Sequence, residues 1–329
     1  MIPKISLIVC THNPRHDYLT RVISALRGQT LSLDTWELIV VDNCSSTPVD
    51  GQFDFSWHPD ARAIREEKLG LTNARLRGIH DARANLLVFV DDDNVLDANY
   101  LALALKISME YPHLGAWSGS CKAEFEVEPD GWARKYTRQL CVTELDRDYW
   151  CNFPFANHAM PSGAGLCLRA DAAKEYVALH RRGLRPVLLD RAGESLASGG
   201  DIDIALTCAH IGYGMGIFRQ LTLTHLIPRF RLQKSYLLKL TEALAFTSAI
   251  IEFYHPAAST PPGSPLKTKV ANLLRLMLLP KVDRAFFRAH LRGLQSGRMA
   301  TETLRRNDDP LNTPASRLAK LGSKPHTHV

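Results

Sequence analysis

The chain of 329 residues has no C-x-x-C pair, no apolar run near the roughly 18 residues of a membrane-spanning helix, and no large excess of charge. Each absence removes a class. Its seven cysteines, Cys10, Cys44, Cys121, Cys141, Cys151, Cys167 and Cys208, are odd in number, scattered singly and partly set in apolar strand-like runs. That pattern argues against a disulfide framework and reads as buried thiols of a reducing compartment. The first residues, MIPKISLIVCTHN, form a strand and a polar turn and lack the architecture of a signal peptide, so a cytoplasmic protein is expected. A net charge of +6 is modest, and no nucleic acid is expected as a partner.

What is present is concentrated at a few places. Residues 86 to 97 read LLVFVDDDNVLD, an apolar run of strand length that ends in Asp91, Asp92, Asp93 and Asn94. The run suits a strand buried on both faces, and a carboxylate cluster cannot enter an apolar interior without a cation. The acids therefore belong at the strand's C-terminal edge, outside which open α/β sheets bind ligands. Clustered oxygen ligands suit Mg²⁺ or Mn²⁺. The plainer alternative is a solvated Asp-rich turn that caps a following helix.

Strand and helix alternate along the chain, which predicts a mainly parallel α/β sheet flanked by helices. Strands are expected at Ile5 to Cys10, Trp36 to Val41, Arg62 to Arg65 and Leu86 to Val90, with helices from about Arg15 to Arg27, from Thr72, and from Asp97 toward Tyr111. The polar ends of three strands then converge: Thr11 with Asn13, Asp42 with Asn43, and Asp91 to Asn94. Cys121 to Met160 has weak periodicity and reads as irregular. A strand is expected from Gly163 to Arg169, and a Gly-Gly turn precedes a helix that opens at Asp201. Helices are expected over Gln233 to Tyr254 and Lys267 to Leu294, joined by a Pro-rich linker. The expected division is a catalytic domain over 1–230, with a nucleotide-binding half to about 120 and an acceptor half from 121, a helical extension over 231–300, and a disordered tail over 301–329.

Six segments in order, SLIVCTHNPR, ELIVVDNCSS, EEKLGLTNARLRGI, LLVFVDDDNVLD, PSGAGLCLR and SGGDIDIAL, resemble the family 2 glycosyltransferases, inverting enzymes of the GT-A fold that use nucleoside diphosphate sugars. The resemblance spans roughly residues 4 to 230. It implies that Thr11, Asn13 and Asp42 hold the base and ribose, and that Arg75, with Lys68 as a further cation, approaches the nucleotide or diphosphate. It casts Asp91 and Asp93 as the aspartates of the D-x-D signature, with Asp93 on the divalent cation. Asp92 is counted with the donor-binding acids, although its side chain points elsewhere if the segment is extended. Asp201 matches the aspartate that removes the acceptor hydroxyl proton, and Asp203 is the weaker candidate. The residue before it is Gly200, where many members carry Glu, so that function is missing or supplied elsewhere. His225 lies where GT-A enzymes often complete the metal or diphosphate site, and Gly163 and Gly165 would allow close approach of the sugar.

The implied partners are a nucleoside diphosphate sugar, an acceptor glycan or lipid-linked glycan of a surface polymer, and Mn²⁺ or Mg²⁺. Lys267, Lys269, Arg275, Lys281, Arg284, Arg288 and Arg292 lie among Leu273, Leu274, Leu276, Met277, Leu278, Phe286 and Phe287, a pattern for peripheral contact with anionic lipid or for an ordinary packed amphipathic helix. Two other functions compete. FVDDDNVL fits the nucleophile motif of haloacid-dehalogenase phosphatases, but two strand-helix units precede it and GGDID lacks the companion spacing. A catalytically inactive sugar-binding or scaffolding relative is the alternative that Gly200 favours.

Overall fold

The computed structural model describes residues 2–153, 158–256 and 265–307. The sheet is built outward from β1 (Ile5–Thr11), whose seven residues are all buried. Its alternating side chains feed two layers: Ile5, Leu7 and Val9 join one apolar cluster, Ile8 and Cys10 the other. β2 (Trp36–Asn43), β3 (Ala61–Glu66) and β4 (Leu86–Asp91) lie parallel to it in the order β3-β2-β1-β4. In this register Thr11 stands opposite Asp42 and Cys10 opposite Asp91, so the polar ends read from the sequence share one edge.

Beyond β4 the sheet becomes mixed. β8 (Cys167–Arg169) pairs antiparallel with β4 and with β6 (Leu114–Phe125), and β9 (Gly214–Ile227) runs parallel to β6. The short β5 (Asn94–Leu96) pairs antiparallel with β9 and sets Asn94 opposite His225, and β7 (Tyr149–Cys151) also joins β9. This one pairing brings the acidic segment to a histidine over a hundred residues later.

α1 (His16–Arg27) and α3 (Tyr100–Glu110) cover one face through Leu19, Val22, Leu26, Tyr100 and Leu101. α2 (Leu71–Asp81), α4 (Ala170–Arg181) and α5 (Gly200–His210) cover the other through Ala74, Ile79, Ala172, Tyr176 and Ile204. α6 (Lys234–Tyr254) and α8 (Lys281–Asn307) form a third cluster with Leu140, Ile227 and Leu232. There Tyr136 stacks on Phe286 at 3.5 Å between ring centroids and donates to Asp283 at 2.6 Å, so α8 anchors the 3₁₀ turn Arg134–Leu140.

Several elements differ from the sequence reading for local reasons. α3 starts at Tyr100, not Asp97, because Asn94–Leu96 is claimed by β9. Of Gly163 to Arg169 only the last three residues pair as a strand, since Gly165 turns to a left-handed φ of 70°. The segment read as irregular contains the last five residues of β6, the 3₁₀ turn and β7. The single helix expected over Lys267 to Leu294 is two, α7 (Pro265–Leu278) and α8, because Pro280 cannot continue the α7 ladder. α8 runs to Asn307, past the boundary at 300, and most of the linker and the remaining tail lie outside the described residues. Among the described residues no helix is long and apolar enough to cross a membrane.

Candidate active site

A cavity of about 310 Å³ opens at the C-terminal edge of β1 and β4. Thr11, Arg75, Asp91, Asp92, Asp93, Asp201 and His225 all line it. Asn13, Asp42 and Lys68 do not. Asp42 accepts from the Ser45 amide at 2.9 Å, from the Val49 amide at 3.4 Å and from Arg65 at 3.1 Å, so its carboxylate is used within the loop after β2. Asn13, left-handed at φ 48°, accepts from the Ser46 amide and hydroxyl. Lys68 meets this network through its carbonyl, which accepts from Asn43 Nδ2 at 2.7 Å.

One wall is acidic. β4 ends at Asp91 and the next two residues turn, so strand alternation lapses and Asp92 faces the cavity with its neighbours, contrary to its expected orientation. The Thr11 hydroxyl donates to Asp92 Oδ2 at 2.5 Å. Burial pushes the Asp92 carboxyl up to about 7, with Asp93 adding repulsion and the Thr11 bond opposing it. Burial also raises Asp91, partly offset by Arg75. Asp93 would be raised by burial, but His225 and Arg231 hold it below the usual carboxylate range.

Asp93 Oδ2 accepts from Arg231 at 2.9 Å and lies 3.4 Å from His225 Nε2, and Asn94 Nδ2 donates to its Oδ1 at 3.0 Å. The His225 Nδ1 faces the Leu140 carbonyl at 2.9 Å. A carbonyl only accepts, so Nδ1 carries a proton, and Nε2 is turned toward Arg231, 3.0 Å away. Carboxylate and imidazole therefore converge on a point held by a guanidinium. Asn94 Oδ1 and Arg231 Nε are buried without a partner. Among the described residues no three of His, Cys, Asp and Glu form a ready metal shell. The set nevertheless fits a divalent ion that takes one carboxylate and one imidazole from the protein and its other ligands from phosphate and water. The spare Asn94 oxygen beside it agrees with that.

The other wall centres on α5. Asp201, in its first turn, accepts from the Gly163 amide at 2.7 Å through Oδ2 and from the Ile202 amide at 2.9 Å through Oδ1. Burial raises its carboxyl above the ordinary range, while Arg75 acts to lower it. Arg75 is only 3% exposed and donates to both oxygens of Asp190, at 3.2 and 3.1 Å. Burial disfavours its charge, but Asp190, Asp91 and Asp201 keep it cationic. A Cβ at Gly163 would lie 2.7 Å from an Arg75 terminal nitrogen, so this glycine leaves room for the guanidinium. Gly165 instead packs under the Tyr100 hydroxyl, which donates to its carbonyl at 2.7 Å. The competing Asp203 is taken up by Arg185 at 2.9 Å and His255 at 2.7 Å, away from the cavity.

Sequence reasoning passed over Asp190, Arg191, Arg231 and Cys141, all of which line the cavity. Cys141 has a left-handed φ of 57°, uncommon for a residue with a side chain. The one signal for Arg231 is its place six residues after His225.

Residues 6–160 match the family model described as glycosyl transferase family 2. Polypeptide N-acetylgalactosaminyltransferase 16 of Mus musculus is 30% identical over 110 residues, 33% of this chain and 20% of that protein. The chain spans less than a third of the length of the curated relatives it matches. The mannosyltransferase PcManGT of Pyrobaculum calidifontis, solved with GDP-Man and Mn²⁺, superimposes with a TM-score of 0.52 at 19% identity, covering 98% of this chain and 80% of its own. S. aureus TarS 1–349, solved with UDP-GlcNAc, gives 0.51 at 14% identity and 92% of each chain. Residues 6–160 are thus similar to the glycosyl transferase family 2 model, and the chain shares the GT-A fold of these solved structures.

Proposed function

We propose that the protein transfers a sugar from a nucleoside diphosphate donor to a hydroxyl acceptor with inversion at the anomeric carbon. The observation that carries this reading is that the Asp93–His225 point, which would take a cation, and the buried Asp201 carboxylate line one cavity. A leaving diphosphate needs positive charge, and an attacking hydroxyl needs a base on the other side. Asp201 accepts that proton, held in place by the Gly163 amide. Asp91 and Asp92 face the donor ribose, with Thr11 fixing Asp92. Asn13, Asp42 and Lys68 shape the base pocket from behind, through the loops they tie. Asp93 and His225 would hold Mn²⁺ or Mg²⁺, which supplies charge stabilisation for the departing diphosphate when bound.

The acceptor belongs to a surface glycan or lipid-linked glycan made on the cytoplasmic side, an environment that suits seven free thiols. α7 supports a bilayer-proximal acceptor. Val270, Leu273, Leu274, Met277 and Leu278, spaced as one helical stripe, are each 51% to 85% exposed. Basic residues Arg275 and Lys281 flank them, so the matching occupant is an anionic lipid surface.

The test is release of nucleoside diphosphate from a panel of UDP, GDP and dTDP sugars with and without Mn²⁺. Turnover on one base that Asp201→Asn abolishes is expected. No turnover above background with any donor would support the inactive-scaffold alternative.

A further inference from the structure

Gly200 occupies the first position of α5, directly before the proposed base. A Cβ built there would lie 2.6 Å from Asp190 Cγ and overlap its Oδ2. The space open to a side chain at 200 is thus filled by a carboxylate from ten residues upstream. That carboxylate is fully engaged. It accepts from both Arg75 contacts, from the Thr72 hydroxyl at 3.0 Å and from the Gly200 amide at 3.3 Å. Asp190 is 5% exposed and lines the same cavity as Asp201.

We infer that Asp190 is a positioning residue which supplies, from the preceding loop, the acid that position 200 lacks. It holds Arg75 beneath the Gly163 turn and tethers the first amide of α5, which fixes where Asp201 projects. It also shares the positive charge of Arg75 with Asp201. An Arg75 paired with nothing else would draw on Asp201 alone and make it a weaker base. The groups facing Asp201 are Arg75 from α2, Asp190 from the loop before α5, and the Cys141 thiol. The role explains the glycine at 200, since a side chain there would overlap the Asp190 carboxylate.

The test relocates the acid, and it rests on the proposed transfer activity only in part. D190A, G200E and the double variant D190A/G200E are compared for melting temperature and turnover. Backbone conformation does not oppose G200E, since position 200 is helical and an acid in the first turn is favourable. D190A strands a buried arginine and should lower Tm by on the order of 5–10 °C, and turnover by about 100-fold. G200E should be similarly impaired by overlap with Asp190. The double variant is expected to regain most of the lost Tm and at least about tenfold in turnover over either single variant. D190N, which keeps the shape without the charge, should move the acid limb of kcat to lower pH, since Asp201 loses the repulsion of Asp190 and keeps the pull of Arg75. A double variant no more stable than D190A would overturn the shared position. Recovered stability without recovered turnover, together with an unmoved limb in D190N, would overturn the positioning role. If the wild-type chain transfers no sugar from any donor, the functional reading fails by itself, and the melting cycle still decides whether one carboxylate serves both positions.

Discussion

The two walls of the cavity each pair an aspartate with an arginine, yet the pairs are built differently. Arg75, on α2, is sealed against the loop before α5, and its partner Asp190 has further donors in Thr72 and Gly200. Arg231 rests on Asp93 and the His225 Nε2 with its own Nε unpartnered. Breaking a buried, fully bonded pair leaves an uncompensated charge, whereas an incompletely satisfied cation can move to a better partner at small cost. On the proposed reading, the difference separates a fixed frame around the base from an adaptable cation site for the leaving group.

The contrast can be broken most sharply at Asp201. Asp201→Asn is expected to lower kcat by about 10²- to 10⁴-fold with unchanged donor affinity, checked by steady-state kinetics alongside calorimetric donor titration. Next comes Arg75→Ala, which strands Asp190 and should cost about 3–5 kcal/mol of stability in denaturant unfolding. Arg231→Ala should cost under about 1 kcal/mol in the same assay, because Asp93 keeps His225 and Asn94 as neighbours. It should instead weaken donor binding roughly tenfold, and equal destabilisation by the two arginine variants would erase the distinction. The pH profile sharpens the nucleophile wall. Asp201 is raised in the folded protein, so it must lose its proton above the ordinary carboxylate range near 4 before it can act as base, and the acid limb of kcat should lie above that value. The same sign means that its protonation stabilises the fold at low pH and that this contribution is lost as pH rises through the raised value. The smallest effect concerns α7: Leu273→Glu with Met277→Glu should abolish sedimentation with phosphatidylglycerol vesicles while leaving transfer to a soluble acceptor intact.

The strand ends were legible because buried strands announce themselves as apolar runs and stop where polar residues begin, as at Thr11, Asp42 and Asp91. Sequence cannot say whether such a polar residue faces a ligand or its own loop. Asp42 spends its side chain on the amides of Ser45 and Val49 and Asn13 on that of Ser46, a local bonding pattern that leaves no trace in residue type. β5 was hidden for a different reason: three residues after an acidic turn have no periodicity of their own, and only pairing with β9 makes them a strand. Asp190 was hidden because its partners are Arg75 and Gly200, one of which is more than a hundred residues away and the other of which has no side chain to signal it.

The central claim is that the two walls act separately, Asp93 on the donor's diphosphate through a cation and Asp201 on the acceptor. The direct measurement is Mn²⁺-dependent donor binding by calorimetry for Asp93→Ala and Asp201→Asn in parallel, with transfer assayed on the same samples. The account predicts that Asp93→Ala loses the Mn²⁺ dependence of binding while Asp201→Asn keeps it, with transfer lost in both. Unchanged Mn²⁺ coupling in Asp93→Ala, or equal loss of binding in both variants, would contradict it.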